Sequence, residues 1–235
     1  MSQRPERRQR HWAFDVLVRL VISFAVIAVV THTLVRPFVV PSGSMEPTIM
    51  TGDRVVAKVL GVDGEDLQRG EVVVFGHGET WDEDRIREPD AVKNLVRHVG
   101  DVLGVGPSHR AHTVKRVIGL PGETVSCCDP EGRVLIDGTP LEEPYVERDL
   151  PFDRGERDCT GEGSPSPRCF ARTTVPTDSY LVLGDNRSDS ADSVSACRGS
   201  TGDVQCTARF VRADQVVGVL GWRWWPLPPG SALRE

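Results

Sequence analysis

Two serines, Ser42 and Ser44, are the side chains of this 235-residue sequence best suited to covalent chemistry. They stand two positions apart in a Pro-Ser-Gly-Ser turn, and in an extended backbone two such side chains can point toward one reacting centre. One hydroxyl could attack a carbonyl while the other donates a hydrogen bond to it. A serine hydroxyl keeps its proton at neutral pH, so this nucleophile needs a base.

Lys115 is the best candidate for that base. It lies in segment 113–118, whose β-branched residues predict a strand. Alternation along a strand places Lys115 and Arg116 on opposite faces, so Lys115 can enter an apolar cleft while Arg116 points away. A neutral base needs a pKa of about 7 to 8 in place of about 10.4, and desolvation can lower it that far. The candidate apolar walls are Met45, Ile49, Val114 and Val117.

A third polar segment, 184–193, follows a predicted strand at 180–183 and reads Gly-Asp-Asn-Arg-Ser-Asp-Ser-Ala-Asp-Ser. A hydroxyl-rich loop of this kind can orient an ammonium group and hold a nearby arginine. The order of the chain is therefore a serine turn, a lysine strand and a polar loop.

These blocks, behind an apolar segment, resemble the type I signal peptidases, the membrane-anchored Ser/Lys proteases that remove signal peptides from exported proteins. The similarity extends from residue 13 to residue 220, and the pair Cys127-Cys128 with the long insert before Lys115 is most similar to actinobacterial members. The matching stretches are 41–45, 47–48, 52–55, 114–119, 121–123, 184–187 and 190–193.

The resemblance implies a role for each matched residue. Ser44 is expected to be the nucleophile and Lys115 the general base. Ser42 would contribute its hydroxyl to an oxyanion hole beside the Ser44 backbone N–H, and Ser190 would orient Lys115 by a hydrogen bond. The remaining matched pair corresponds to a structural salt bridge, Arg116 with Asp185.

One position departs from the family pattern. The family usually follows Ser-Ala-Asp-Ser with an arginine, and this sequence has Val194 there. The ion pair that would fix Asp192 then needs another cation, for which Arg198 and Arg187 are the candidates.

The resemblance also implies how a substrate is held. An extended peptide would add a strand between segments 39–42 and 111–114. Shallow apolar pockets would admit only small residues such as alanine at the −1 and −3 positions of a preprotein. No cofactor, ATP or metal is needed by this chemistry. The predicted pocket residues are Val40, Met45, Ile49 and Val114.

Length and composition fit a short anchor followed by one globular unit of about 200 residues. The 23 glycines, 17 prolines and many short β-rich runs predict a mainly β fold, and the resemblance implies a signal-peptidase-like antiparallel sheet with one N-terminal transmembrane helix. The net charge of −6 gives no support to nucleic-acid binding. The predicted strands are 54–59, 71–75, 113–118, 133–136, 180–183 and 216–220.

The N-terminal segment predicts a retained single-pass anchor. Residues 1–12 form a basic tail, and the apolar stretch 13–35 is long enough to cross a membrane as a helix. The basic flank predicts a cytoplasmic tail with domain 36–235 on the outer face, in contact with membrane lipid and with the secretion machinery as a possible partner. A cleaved secretory signal peptide is the alternative, but no small-x-small cleavage site follows the apolar run.

Six cysteines lie in the predicted exported part, which permits disulfides. Cys159 with Cys169, in the loop-rich segment 150–176, and Cys197 with Cys206 each close a short loop and are the predicted pairs. Cys127-Cys128 has no explanation at this level. Because neither a CxxC spacing nor an HxxxH pair is present, no metal site is predicted.

The insert 77–112 contains an amphipathic helix at about 90–103, expected to pack on the β domain, with a membrane-surface contact as the alternative. Its histidines, His98, His109 and His112, could complete a Ser-His-Asp triad on paper, but no Gly-x-Ser-x-Gly elbow supports one. Near the C-terminus, a tryptophan cluster predicts proximity to the bilayer. Its members are Trp222, Trp224 and Trp225.

Two other functions stay open. A self-cleaving Ser/Lys regulator would share the dyad but should carry a DNA-binding domain in place of the apolar run. A non-catalytic membrane-anchored binding protein would not depend on Ser44.

Overall fold

A computed structural model describes most of the chain. His109 and Cys206 lie outside the described residues. At positions 6–11, 103, 222, 224 and 225 only the backbone is described, so the side chains of the predicted tryptophan cluster are not. The described residues are 6–62, 64–78, 80–81, 89–103, 106, 111–160, 164–201 and 207–225.

The chain begins with helix α1, Glu6–Thr33. Its part Trp12–Thr33 is long and apolar enough to cross a membrane, and nearly all its described side chains are exposed. A long apolar helix whose side chains are mostly exposed is what a lipid-facing span requires. The predicted apolar helix is present, although it ends two residues before residue 35, where the first strand begins.

Eleven strands follow in the part of the chain that the structure describes, and all their mutual pairings are antiparallel. In chain order they are β1 Val35–Val39, β2 Arg54–Lys58, β3 Val72–Gly76, β4 His112–Gly119, β5 Thr124–Cys127, β6 Val134–Ile136, β7 Thr139–Pro140, β8 Phe170–Thr174, β9 Ser179–Leu183, β10 Val211–Arg212 and β11 Val216–Trp225. They form a seven-stranded sheet of order β1-β2-β11-β3-β4-β9-β10 and a four-stranded sheet of order β7-β6-β5-β8. The predicted mainly β, antiparallel fold is confirmed.

All six predicted strands are present, five with small shifts of their ends and the last, predicted at 216–220, extending to Trp225; five further strands were missed. β1 was missed because Val35 and its neighbours continue the apolar run of α1, so composition alone does not mark the change from helix to strand. β7 and β10 have two residues each, too short for a periodic pattern.

The two sheets share one buried layer. Ile118 and Leu181 of the large sheet pack with Val125 and Phe170 of the small sheet. A second cluster lies in the large sheet and includes Val73, Val117, Val182 and Tyr180. A third includes Val40, Met45 and Ile49 with residues of β2, β3 and β11. These clusters fix β4 and β9, the strands that lead into the polar loop.

Helix α2, Ala91–Leu103, is the amphipathic helix predicted from the insert. Asp90 caps it, because its Oδ1 accepts hydrogen bonds from the backbone N–H groups of Val92 and Lys93 at 2.9 and 3.0 Å. The expectation that its apolar face packs on the β domain is wrong. The helix lies against α1, and its apolar side chains are exposed.

Cysteines 159 and 169 form the predicted disulfide. Cys127 and Cys128 are joined by a second disulfide between adjacent residues, which accounts for the pair that the sequence left unexplained. The sulfur atoms of Cys128, Cys159 and Cys169 lie within 4.8 Å of one another. Since all three are oxidised in disulfides, none offers the thiolate that a metal would need.

Candidate active site

Ser44 lies in a short 3₁₀ turn, Gly43–Met45, that follows β1. The turn is closed by the backbone N–H of Glu46, which donates to the carbonyl oxygen of Gly43 over 3.1 Å. Ser42, just before the turn, has an extended backbone with φ −140° and ψ 158°. Its Oγ lies 3.4 Å from Oγ of Ser44, so the two hydroxyl groups are adjacent.

The loop after β9 holds this turn from the other side. Asn186 donates from its backbone N–H to the Ser44 carbonyl oxygen over 3.1 Å, and from its side chain to the Gly43 carbonyl oxygen over 3.0 Å. At Gly184, a Cβ atom would lie 2.5 Å from the Ser44 carbonyl oxygen and 2.3 Å from Oγ of Ser190. Only glycine allows this close approach of the loop to the serine turn.

Lys115 reaches Ser44 from β4. Its Nζ lies 2.5 Å from Oγ of Ser44, and both residues are buried, with 3% and 7% of their surfaces exposed. β4 pairs on one side with β3, where Val73 is opposite Lys115, and on the other side with β9. The strand is therefore held in register along both edges, which fixes the position of the lysine.

Burial lowers the pKa of Lys115 from 10.5 to about 8. Desolvation is the largest cause, and the negative charges of Asp192, Asp185 and Asp189 act against it by raising the pKa. Val73 and Val117 lie on the same face of the sheet as Lys115 and have no exposed surface. With a pKa of about 8, the Lys115 amine is uncharged in half of the molecules at that pH.

The candidate walls of the lysine cleft divide between the two faces of β4. Val117 shares the face of Lys115, whereas Val114 is on the opposite face and packs in the cluster of Met45 and Ile49. Strand alternation explains this difference, because residues 114 and 115 cannot point the same way.

Arg116, next in sequence, forms a buried two-point salt bridge with Asp185. Its Nε and one terminal nitrogen donate to the two carboxylate oxygens over 2.9 and 2.7 Å. The other terminal nitrogen donates to the carbonyl oxygen of Gly70 over 2.7 Å, and Thr48 donates to Asp185 over 2.5 Å. The ring of Tyr145 lies 3.9 Å from the guanidinium carbon, a cation–π contact.

Arg198 holds Asp192 in this chain. One of its terminal nitrogens lies 2.9 Å from Oδ2 of Asp192, which has no exposed surface. Arg187, the other candidate, pairs with Glu143. Val194, at the position where the family usually has arginine, is buried in the layer between the sheets. Arg198, four residues after Val194, thus forms the ion pair with Asp192 that was expected of an arginine at position 194.

Ser190 does not make the predicted hydrogen bond to Lys115. Its Oγ is buried beside Gly184 and has no hydrogen-bond partner among the described residues. The amine of Lys115 instead has Oγ of Ser44 at hydrogen-bond distance.

The predicted pocket residues are more buried than a substrate surface requires. Ile49 has no exposed surface and Met45 has 1% exposed, because both side chains point into the core cluster. These two can support a pocket only from behind. Val40 retains 3% exposure and Val114 is half-buried, so a direct contact with substrate stays a prediction for them.

Histidines do not occupy the place of the base among the described residues. His112 lies against Phe38, with ring centroids 5.4 Å apart, and His98 is exposed on α2.

Several residues around the site had no predicted role. Thr48, Asn186 and Gly184 all stand in stretches that the sequence singled out, so their positions were visible but their contacts were not. Tyr145 lies outside those stretches and carries no signal in the sequence.

Comparison with known proteins adds an independent finding. Residues 13–225 match the family model described as "Signal peptidase, peptidase S26". The probable signal peptidase I of Mycobacterium leprae is 31% identical over 240 residues, which cover 94% of this chain and 78% of that protein. Signal peptidase I of Mycobacterium tuberculosis H37Rv is 33% identical over 202 residues, covering 83% and 66%. A crystal structure of a signal peptidase I from Enterococcus faecalis V583 has 25% identity and a TM-score of 0.36, and covers 66% of this chain and 97% of that one.

Proposed function

We propose that this chain, which belongs to the signal peptidase family, peptidase S26, cleaves signal peptides from exported preproteins with Ser44 as nucleophile and Lys115 as general base. The observation that carries the proposal is the 2.5 Å distance between Nζ of Lys115 and Oγ of Ser44 in a buried setting. A hydroxyl next to an amine with a pKa of about 8 can lose its proton to that amine as it attacks.

The reaction divides into two halves. Oγ of Ser44 attacks the scissile carbonyl carbon while its proton passes to Nζ of Lys115, and the tetrahedral intermediate then expels the new amino terminus, which takes that proton. Water next attacks the acyl carbon and gives a proton to Nζ of Lys115. The bond from that carbon to Oγ of Ser44 then breaks, Oγ takes the proton back from Nζ, and the signal peptide leaves with a terminal carboxyl group. No cofactor or metal takes part in these steps.

The negative oxygen of the intermediate needs hydrogen-bond donors. We assign this role to the backbone N–H of Ser44 and the hydroxyl of Ser42. The 3.4 Å between the two hydroxyl oxygens supports the assignment, because it keeps Ser42 beside the atom that attacks. Ser190 remains a candidate for orienting Lys115, because its buried hydroxyl has no hydrogen-bond partner among the described residues.

An extended substrate fits beside β4. The pairing of β4 with β9 begins at Arg116, so the first half of β4 continues beyond β9. A peptide strand added there, between segments 39–42 and 111–114, would pass Ser44. The half-buried Val114 and the buried Val40 are the proposed contacts for small side chains such as alanine at −1 and −3.

The placement in the cell follows from α1 and its flank. We propose a single membrane span at Trp12–Thr33, with the basic tail in the cytoplasm and the β domain on the outer face. Preproteins would then meet the site as they leave the membrane. Membrane lipid and the secretion machinery stay predicted partners.

The test uses the purified full chain in detergent and a peptide that spans an Ala-x-Ala junction. We expect cleavage after the second alanine, and a fall to background in Ser44→Ala, since Oγ of Ser44 is the hydroxyl at hydrogen-bond distance from Nζ of Lys115. Ser126→Ala, on β5 in the small sheet, is the matched control and should keep full activity.

The outcomes separate the alternatives. Equal cleavage by Ser44→Ala and the unchanged protein would refute the assignment of the nucleophile. If the unchanged protein binds the peptide without cutting it, the non-catalytic binding protein is the better description. Cutting of its own chain in place of the peptide would favour a self-cleaving regulator.

A further inference from the structure

Helix α2 is oriented with its apolar side outward. Its exposed apolar residues share one face at helical spacing. The polar residues Asn94, Arg97 and Asp101 of the opposite side are half-buried, and Gly100 is buried. The outward residues and their exposed fractions are Val92 72%, Leu95 64%, Val96 47%, Val99 42% and Val102 58%.

This orientation is the reverse of what water favours. A helix at the surface of a soluble domain turns its apolar stripe toward the core and its charges toward water. Here five apolar side chains on neighbouring turns form one exposed patch, whereas Asn94, Arg97 and Asp101 are half-buried. A contiguous apolar patch of this kind marks a surface that contacts something other than water.

The helix that α2 contacts indicates what covers this apolar patch. The helix packs against α1, the candidate membrane span. Within Trp12–Thr33, the less exposed residues are Ala28, Val30 and Thr31, all in the last two turns, so the covered part of α1 is the end that joins the β domain. α2 contacts this span and lies between β3 and β4 in the chain, which ties it to the β domain. Its apolar side chains are exposed, as those of α1 are, and these are the surfaces available to lipid.

We propose that α2 is an interfacial helix whose apolar face, centred on Leu95 and Val99, is inserted in the outer surface of the lipid bilayer. Its 13 residues are too few to cross the hydrocarbon layer, and its sharp division into apolar and polar sides is the pattern of helices that lie in the interface.

Two membrane contacts constrain a domain more than one. A single span leaves the β domain able to turn about the axis of α1, whereas a second contact through α2 fixes which side faces the bilayer. The inference does not depend on catalysis by Ser44, and its test needs no activity.

The test places a photoreactive benzoylphenylalanine at single positions of the full chain, reconstituted in vesicles of phosphatidylethanolamine and phosphatidylglycerol. After irradiation, mass spectrometry of the chain counts lipid adducts. We expect adducts at positions 95 and 99 at a yield similar to that at Val21, which is 60% exposed on the span. Position 93 is the matched control within α2, and its yield should be several-fold lower.

Two results would overturn the proposal. The first is a yield at 95 and 99 no higher than at 93 while position 21 reacts with lipid. The second is an adduct between position 95 and a polypeptide in place of lipid, because a protein would then cover the face.

A second measurement avoids the photoreactive side chain. Amide hydrogen exchange of α2 is compared in the same vesicles for the unchanged chain, Leu95→Asp and Thr139→Asp, an exposed position of β7. We expect several-fold faster exchange in α2 for Leu95→Asp alone, because a charge in the apolar face weakens its insertion. Equal exchange in all three proteins would contradict an inserted helix.

Discussion

Lys115 and Arg116 are neighbours on β4 and are both buried, yet the charge of Arg116 is paired whereas burial favours the neutral form of Lys115. Arg116 has a carboxylate at two-point hydrogen-bond distance, a carbonyl oxygen and an aromatic ring around its guanidinium. Lys115 faces valines and a serine hydroxyl, and burial lowers its pKa to about 8. Strand alternation produces the contrast, because adjacent residues enter different environments on the two faces.

The comparison shows how one strand can serve both stability and chemistry. A buried cation is tolerated when a counter-charge pairs with it and is strongly destabilising when that partner is removed. Arg116 is paired and permanently charged, so it can hold the loop of Asp185 against β4. Lys115 can lose its proton, so the unfavourable setting converts it into a base.

The largest effect is expected for Lys115→Arg. A guanidinium cannot serve as a neutral base, so we expect cleavage of an Ala-x-Ala peptide to fall by about 10⁴-fold or to background. Because arginine is larger, Lys115→Met is measured in parallel as a smaller variant that also lacks a base. Cleavage by either variant within tenfold of the unchanged protein would contradict the role of Lys115.

On the other face of β4, Asp185→Asn should damage the fold. The substitution leaves Arg116 buried without its counter-charge, so the free energy of unfolding should fall by about 3 to 5 kcal/mol. Glu142→Gln is the matched control, since Glu142 pairs with Arg133 at an exposed position and should change stability by about 1 kcal/mol at most. Chemical denaturation followed by circular dichroism measures both. Equal losses of unfolding free energy in the two variants would show that burial does not make the Arg116–Asp185 pair more important for stability than an exposed pair.

The same reasoning predicts that Lys115→Met makes the protein more stable. The unfolded chain holds its lysine proton up to pH of about 10.5, whereas the folded protein releases it near 8, so folding carries a cost at pH 7 that disappears as the pH rises through this window. The difference corresponds to a gain of up to about 3 kcal/mol at pH 7 and of about 1 kcal/mol or less at pH 10. If the gain in stability of Lys115→Met does not depend on pH, its cause is better packing of the methionine side chain and not the removal of a buried charge.

A smaller effect is expected in the pH dependence of cleavage. The rate should rise with pH and level off above about 8, and at pH 6 about 1% of the plateau should remain, because only neutral Lys115 can accept the proton. Arg198→Met should move the midpoint to higher pH, since Asp192 then acts on Lys115 without its own cation. An unmoved midpoint would show that Arg198 has only a structural role.

The sequence predicted the fold class and the order of the functional blocks well. Six strands, both helices and the Cys159–Cys169 disulfide were predicted, and the family was recognised from short stretches such as the serine turn. Those features are local, because spacing, turn residues and periodicity are all visible within about ten residues. The strands that were missed are either very short or, like β1, continuous in composition with a neighbouring element.

The contacts between distant segments were predicted less well. The bond from Ser190 to Lys115 is absent, Met45 and Ile49 are buried behind the site, and Arg198 holds Asp192. For α2 the amphipathic pattern was correct but its direction was not, because periodicity defines two faces and does not tell which one meets the protein.

By itself, the sequence determined which residue types are available and the faces on which they stand: a serine pair in a turn, a lysine and an arginine on alternate sides of a strand, and an apolar helix behind a basic tail. Only the tertiary structure decided that Lys115 reaches Ser44, that Asp185 pairs with Arg116, and that the apolar side of α2 points outward beside α1. The physical reason is that a pKa, a salt bridge or an exposed patch depends on neighbours far apart in the chain, and these meet only when the sheets and helices pack.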